Sequence, residues 1–503
     1  MSPNQVIPLE NGALSPIAER VLKVPSLKYE YGTDGIVIAH KAEMVVRASA
    51  LHASPSFRRK LQEVAEPVGT LAEIKGPPTE LAPMRDPSSA ERGPEGHERE
   101  PDPDYEPDPE GPLSQLEIWR LKDRATRNSI DESQRLRPFA AIERTRTPSG
   151  GELLLPPIAP NHAAILSPAA GGCPAAPPKP AAAPDRPFVE PPSGESTVKV
   201  TVLDSGYIWI DPPHRHLDDR VTVVRGQWLD TSTAPASWRP DRPDDLYTDP
   251  DGQLDGISGH GTFIAGLIAN IAPRTRLEVV GLRNQEVEIG DLDPGAQLGL
   301  FETEVAIAHA MLRRSRADVI QCGFAFPTLD DYPSLPFAAV MAELRQRHAP
   351  HEGRVAVVAP AGNEQSPRSF WPAALPDVIG VASTNRRGNG RAWFSNWGDW
   401  CDCCTRGEYV YSTFVRWDGP VEGEPLTDIE HFQGWARWDG TSFAAPKVSA
   451  AIARLFAERG GATPPLDAGS ELIAGTGGVP VSSLTDATLS GAPGVSLPHL
   501  QIR

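Results

Sequence analysis

A carboxylate, an imidazole and a hydroxyl stand in three short segments whose neighbours suit nucleophilic acyl transfer. Asp204 closes the apolar run of TVLDSG, with Gly206 two residues on. His260 lies between Gly259 and Gly261 in GHGTFIAG, at the start of an apolar helical pattern. Ser442 lies in GTSFAAP, ahead of a helical pattern through Ala450 and Leu455 that stops at Gly460 and Gly461. A serine hydroxyl is a poor nucleophile near neutral pH. An imidazole within hydrogen-bond reach takes its proton during attack and returns it to the leaving group, while a carboxylate holds the ring in the needed tautomer. A serine at a helix start also has unpaired backbone N–H groups and the positive end of the dipole beside it. Pro446 falls in the first turn, where no intrahelical donor is needed. A fourth segment, VAPAGNE, offers the amide of Asn363 to a developing oxyanion.

Each of these residues has a plain reading too. Asp204 alone is as readily a solvated strand-end acid, and a lone histidine in a glycine-rich turn is more often structural. Ser442 alone is a helix cap and Asn363 a turn residue. The combination, in this order and this strand and helix context, is what the plain readings do not explain. Over 197–461 the segments resemble the subtilisin-like serine peptidases, whose chain order is also Asp, His, Ser. The resemblance implies a triad of Asp204, His260 and Ser442, with Asn363 and the Ser442 backbone N–H as oxyanion donors. It implies further that an extended stretch, here Gly323, Phe324 and Ala325, pairs with the substrate backbone, using N–H and C=O groups. Ala361 and Gly362 would form the opposite wall of the specificity pocket. Phe324 stands where the family usually has leucine, and Pro360 where it usually has alanine. Asparagine at 363 separates the chain from the related sedolisins, which carry an acid there.

To bring such residues together the chain needs a scaffold. Apolar runs at 198–203, 277–281, 319–324, 355–358 and 378–381 read as buried strands, and helical spacing at 304–314 and 336–347 falls between them. Alternation of this kind predicts an α/β fold: a subtilisin-like, mostly parallel central sheet with helices on both faces. Reactive groups then gather beyond the carboxyl ends of strands, where Asp204 and Asn363 fall.

The N-terminal part has a different texture. Of the 503 residues 54 are proline, many in the first 200 positions, so a proline-rich, partly disordered region is expected to precede the sheet. Residues 1–75 read as a small module, propeptide-like or regulatory, with a strand at 35–39 and helices at 41–52 and 57–64. Residues 76–195 read as a proline-rich linker with short helical segments, one of them at 113–121. PAAPPKPAAAPDRP, within it, reads as a polyproline-like tether. The peptidase-like domain is expected over 196–465, and 466–503 as a C-terminal extension with few signals.

A net charge of −18 disfavours nucleic acid and anionic membrane as partners. A peptide or protein substrate remains, with a regulatory partner acting through the N-terminal region. No stretch approaches the roughly 20 apolar residues of a membrane helix and no secretory signal is visible, so a cytoplasmic location is expected. Five cysteines, three of them at Cys401, Cys403 and Cys404, do not make a disulfide framework, and the cluster reads as core packing. No cofactor is required by this chemistry. Asp249, Asp251 and Asp255 begin like a calcium loop but lack its distal glutamate, and His214 and His216 read as loop residues rather than metal ligands. Because an unrestrained protease would endanger its own compartment, gating by the N-terminal region or a partner is expected. The rival reading is a catalytically silent scaffold that binds peptides or proteins.

Overall fold

A computed structural model of the protein describes residues 27–32, 35–73, 110–123, 126–147, 150–166, 175–184, 198–210, 214, 217, 221–224, 226–228, 253–254, 256–282, 300–312, 316–346, 355–421, 425–485 and 496–502. The N-terminal part is built from β1 (Gly35–Arg47), α1 (Ala48–Ala53), α2 (Pro55–Val64), β2 (Ala65–Thr70), β3 (Leu116–Leu121), α3 (Ser129–Leu136) and β4 (Ile158–Leu166). These strands pair antiparallel in the order β4-β1-β3-β2, and strand Leu300–Thr303 joins the sheet on β4. A β-α-β-β-α-β succession of this kind is a split βαβ unit. Its core includes Met44, Val46, Phe57, Leu61, Trp119 and Leu136, all buried.

Several expectations are corrected here. The helix expected at 41–52 is mostly strand: β1 runs to Arg47, and only 48–53 is helical. Val45 and Val46 are β-branched and both buried, which suits a strand lying between two partners. The helix expected at 113–121 is a short 3-10 turn, Pro112–Gln115, followed by β3, whose apolar residues meet β1 on one side and β2 on the other. Part of the segment read as linker thus supplies β3, α3 and β4 to the same sheet as β1. Local periodicity in a six-residue strand is too short to separate it from a helix; the neighbouring strands decide.

Most of the remaining described strands form one large sheet. Its strands are β6 (Val198–Asp204), β7 (Val221–Val224), β8 (Thr275–Gly281), β9 (Val319–Cys322), β10 (Ala356–Pro360), β11 (Ile379–Thr384), β12 (Cys403–Arg406), β15 (Val481–Thr485) and β16 (Ser496–Leu500). The order is β7-β8-β6-β9-β10-β11-β12-β16-β15, parallel throughout except for the closing β15–β16 pair. β6, β9 and β10 are central, and their residues are almost entirely buried, as parallel strands covered on both faces require. The C-terminal extension is therefore part of the sheet, together with α8 (Pro465–Ile473). Helix α4 (His260–Ile271) packs on α7 (Ala445–Glu458) and on the sheet, while α5 (Glu304–Leu312) and α6 (Leu335–Gln346) pack on each other and toward the N-terminal unit. Among the described residues no helix is long and apolar enough to cross a membrane.

A small antiparallel sheet stands beside these elements. In it β13 (Val410–Gly419) pairs with β14 (Glu430–Trp438), and β14 pairs with β5 (Lys179–Pro180). The stretch read as a tether thus contributes an edge strand, the place where a sheet tolerates proline.

Cys401, Cys403 and Cys404 are buried, the last two in β12, and burial pushes the Cys404 thiol up to about 12. They pack as small apolar groups. His214 is buried, its Nε2 donates to the Phe414 carbonyl at 3.0 Å, and its ring meets Trp435 edge-on, so it is a core histidine. Asp249, Asp251, Asp255 and His216 lie outside the described residues.

One buried charge lies in α7. Lys447 is 5% exposed, and its ammonium donates to the Arg406 carbonyl at 2.9 Å. Burial, then the Arg406 charge, bring its pKa from 10.5 down to about 7. A depressed base costs the fold most below its folded pKa, and that cost fades as pH rises toward the unfolded value. Lys447→Met is therefore expected to raise the melting temperature by a few degrees at pH 6 and by almost nothing at pH 10, read by scanning calorimetry at both values. An equal shift at the two pH values would remove the electrostatic explanation.

Candidate active site

Asp204 is the last residue of β6, at the carboxyl end of a central strand. Its carboxylate is wholly buried. The Ser205 N–H donates to its Oδ1 at 2.6 Å, and the His260 Nδ1 lies 2.8 Å from Oδ1 and 2.9 Å from Oδ2. Gly323 stands so close that a Cβ there would lie 1.6 Å from Asp204 Oδ2. Glycine after β9 is thus a steric condition for this carboxylate position.

His260 opens α4. The start of that helix is stitched to the end of β6 by the Gly261 N–H donating to Ser205 Oγ at 2.9 Å and the Ile208 N–H donating to Thr262 Oγ1 at 2.8 Å. A side chain at 261 would meet the Gly206 carbonyl at 2.1 Å, so glycine lets helix and strand end approach. With Nδ1 directed at the carboxylate, the proton belongs on Nδ1 and the lone pair on Nε2. Nε2 is buried and has no hydrogen-bond partner. The ring lies 5.2 Å from that of Phe443 and 5.6 Å, edge-on, from that of Trp438.

Ser442 is in the 3-10 turn Thr441–Phe443, just ahead of α7, and this turn packs against α4. The expected helix start is therefore a tighter turn followed by the helix. Like Asp204 and His260, Ser442 is 0% exposed.

Asn363 follows β10 and is tied to the same turn. Its Oδ1 accepts from the Thr441 N–H at 2.8 Å and from Thr441 Oγ1 at 2.9 Å, while Gly362 N–H donates to Thr441 Oγ1 at 3.1 Å. Fixing the carbonyl end of the amide makes Nδ2 the end with donor capacity. Asn396 braces the loop from below: its Oδ1 accepts from the Glu364 and Ser366 N–H groups at 2.8 and 3.0 Å, and its Nδ2 donates to the Ala361 carbonyl at 2.9 Å. Beside Asn363, burial pushes the Glu364 carboxyl up to about 8, against the opposing pull of Arg368.

Two of the residues read as substrate-binding bond their N–H groups to neighbouring strands. Gly323 N–H donates to the Leu203 carbonyl at 2.9 Å, and Ala361 N–H to Val381 at 2.9 Å. Phe324 is fully buried, its ring stacked on Phe337 at 6.2 Å. Ala325 is 8% exposed, and Phe326 beyond it bridges Trp371. Thr441, Asn396, Ser205 and Trp438 were not singled out from sequence. Thr441 and Ser205 are small polar residues inside the quoted segments, the one signal that could have found them, while Asn396 lies outside all four.

The parallel sheet, the histidine-led helix and the serine turn ahead of α7 define a subtilisin-like domain. A family model described as "Subtilase family" (Peptidase S8) matches residues 195–466, and the chain belongs to that family. It is similar to a thermophilic serine proteinase of Bacillus sp. (strain AK1), 27% identical over 281 residues, covering 53% of this chain and 54% of the relative. It is also similar to thermitase of Thermoactinomyces vulgaris, 33% identical over 104 residues, covering 21% of this chain and 31% of that protein. The matched part thus spans about half the length of the first relative and about a third of the second. Among solved structures, the patellamide maturation protease PatA is 21% identical, with a TM-score of 0.40, covering 61% of this chain and 95% of that one. The prenylagaramide maturation protease PagA is 19% identical, with a TM-score of 0.39, covering 61% and 92%.

Proposed function

We propose that the chain is a serine endopeptidase acting through an acyl-enzyme. Ser442 Oγ attacks the peptide carbonyl carbon while His260 Nε2 takes the hydroxyl proton. The oxyanion is held by Asn363 Nδ2 and the Ser442 backbone N–H. The C–N bond then breaks as the same proton passes to the amine, and water repeats the sequence on the ester. Asp204 fixes the ring and stabilises its charged form. Family membership supports this reading. The single observation that carries it is a wholly buried imidazole held at Nδ1 by a buried carboxylate, with its Nε2 unpartnered. Most buried side-chain polar atoms find a partner, so an orphaned Nε2 opposite a bonded Nδ1 asks for a functional account.

The N-terminal βαββαβ unit occupies the place of a propeptide-like or regulatory module in this reading. Labelling with a fluorophosphonate probe tests the proposal: the probe should react with the wild-type chain and not with Ser442→Ala. Absence of labelling under every condition would favour the rival, a silent scaffold that binds peptides.

A further inference from the structure

Between the N-terminal unit and the large sheet lies a cavity of about 340 Å³, within the size range of small-molecule sites. One wall is the hairpin of strands Glu143–Arg146 and Glu152–Leu155, another is α6, and the loop ahead of β11 adds Leu375 and Asp377. Hairpin and loop are in close contact: a Cβ at Gly151, in the hairpin turn, would lie 2.3 Å from Cβ of Pro376. Much of the lining is apolar and buried, supplied by Leu116, Leu153, Leu335, Ala339, Met341 and Leu375.

Asp377 stands out in this lining. It is 4% exposed, and neither oxygen of its carboxylate has a hydrogen-bond partner. Arg345 is close by, yet it donates at 2.8 and 2.9 Å to the main-chain carbonyls of Val355 and of Asp377 itself, not to that carboxylate. The other acid in the lining, Glu143, is paired with Arg47, whose guanidinium also donates to Ser49 Oγ at 2.9 Å and to the Ala141 and Pro156 carbonyls, each at 2.8 Å. Arg146, the remaining cation of the lining, is exposed, and water and salt screen it. A buried carboxylate without a donor is costly, and a cation that meets it offsets the cost. Asp377 comes two residues ahead of β11, whereas Asn363 follows β10, the parallel neighbour of β11. The cavity is therefore at the opposite edge of the sheet from the triad.

We propose that this cavity is a binding site for a small organic cation, an alkylammonium or alkylguanidinium, whose charge meets the Asp377 carboxylate and whose stem lies among the leucines and alanines. The inference goes beyond the peptidase reading and does not depend on it. Charged N–H groups donating to a carboxylate form the stronger class of hydrogen bond, and an apolar stem gains from leaving water for apolar walls. The lining suits a metal ion less well: among the described residues no three His, Cys, Asp or Glu side chains gather to hold one. Because the N-terminal unit and α6 both supply walls, a bound cation ties the two parts together, and by mass action it stabilises the folded chain.

The test uses the full chain, with n-hexylammonium chloride as probe and hexanol as its neutral counterpart, read by isothermal titration calorimetry and by melting temperature. The ammonium should bind wild type with a Kd in the millimolar range or below and raise its melting temperature. Asp377→Asn keeps the size of the side chain and removes its charge. It should weaken ammonium binding at least about tenfold and leave hexanol binding unchanged. Ala342→Leu fills space on the cavity side of α6 with Asp377 left in place, and should abolish binding of both compounds. If Ala342→Leu does not fold, Asp377→Asn decides. Nα-acetyl-lysine N-methylamide carries the same ammonium on a peptide backbone and should bind more weakly, since its amide groups would enter apolar walls. Affinity equal to that of n-hexylammonium would reassign the cavity to the basic side chain of a peptide. No binding of the ammonium to wild type, or equal affinity for wild type and Asp377→Asn, would overturn the site.

Discussion

Ser442→Ala is expected to lower kcat toward a peptide substrate about 10⁶-fold, with the double variant Ser442→Ala/His260→Ala no slower than the single one. The figure is the one known from subtilisin, a member of the same family, and is carried over here rather than derived. The reasoning is that the hydroxyl and imidazole act as one unit: without an oxygen to deprotonate, the buried Nε2 of His260 has nothing to do. The substitution deletes one atom from a turn otherwise held by Thr441, so the melting temperature should stay within a few degrees of wild type. Steady-state kinetics on both variants checks the result. Activity surviving in either single variant, or losses that multiply in the double, would end the assignment.

Asn363→Asp should lower kcat by about 10² to 10³, or about 2.7–4 kcal/mol of transition-state stabilisation, with little change in KM. That range too comes from subtilisin. The choice of aspartate follows from the geometry. Oδ1 of Asn363 is what accepts both donors of Thr441, and a carboxylate keeps that role while losing the N–H that would meet the oxyanion. Asn363→Ala, by contrast, leaves the buried Thr441 N–H without its acceptor and should cost about 1–3 kcal/mol of stability as well. A kcat effect in both variants, with a drop in melting temperature only in the alanine one, separates catalysis from architecture. An Asn363→Asp chain with unchanged kcat would refute oxyanion donation.

How much of this was legible in the sequence depended on how local the determinant was. The strand ending at Asp204, the glycines around His260 and the helix after Ser442 each carry their signal within a dozen residues, and the sheet follows from repeated apolar runs. What periodicity missed was set at long range. Residues 41–47 took strand form because β1 has a partner on each side, and the same holds for 116–121. Residues 179–180 look unfit for a sheet by composition but sit on an edge, where only one side must pair. The bonds between Asn363 and Thr441, 78 positions apart, leave no trace in either segment alone.

The N-terminal sheet does not end with the N-terminal chain: Leu300–Thr303 is its outermost strand, and Glu304 next to it takes the His162 N–H and ring and the Ser334 hydroxyl in a buried cluster. Cutting the polypeptide ahead of residue 198 would leave that four-residue strand without a partner and the Glu304 carboxylate without His162. The two parts are thus unlike beads on a string, and they should melt in one cooperative step.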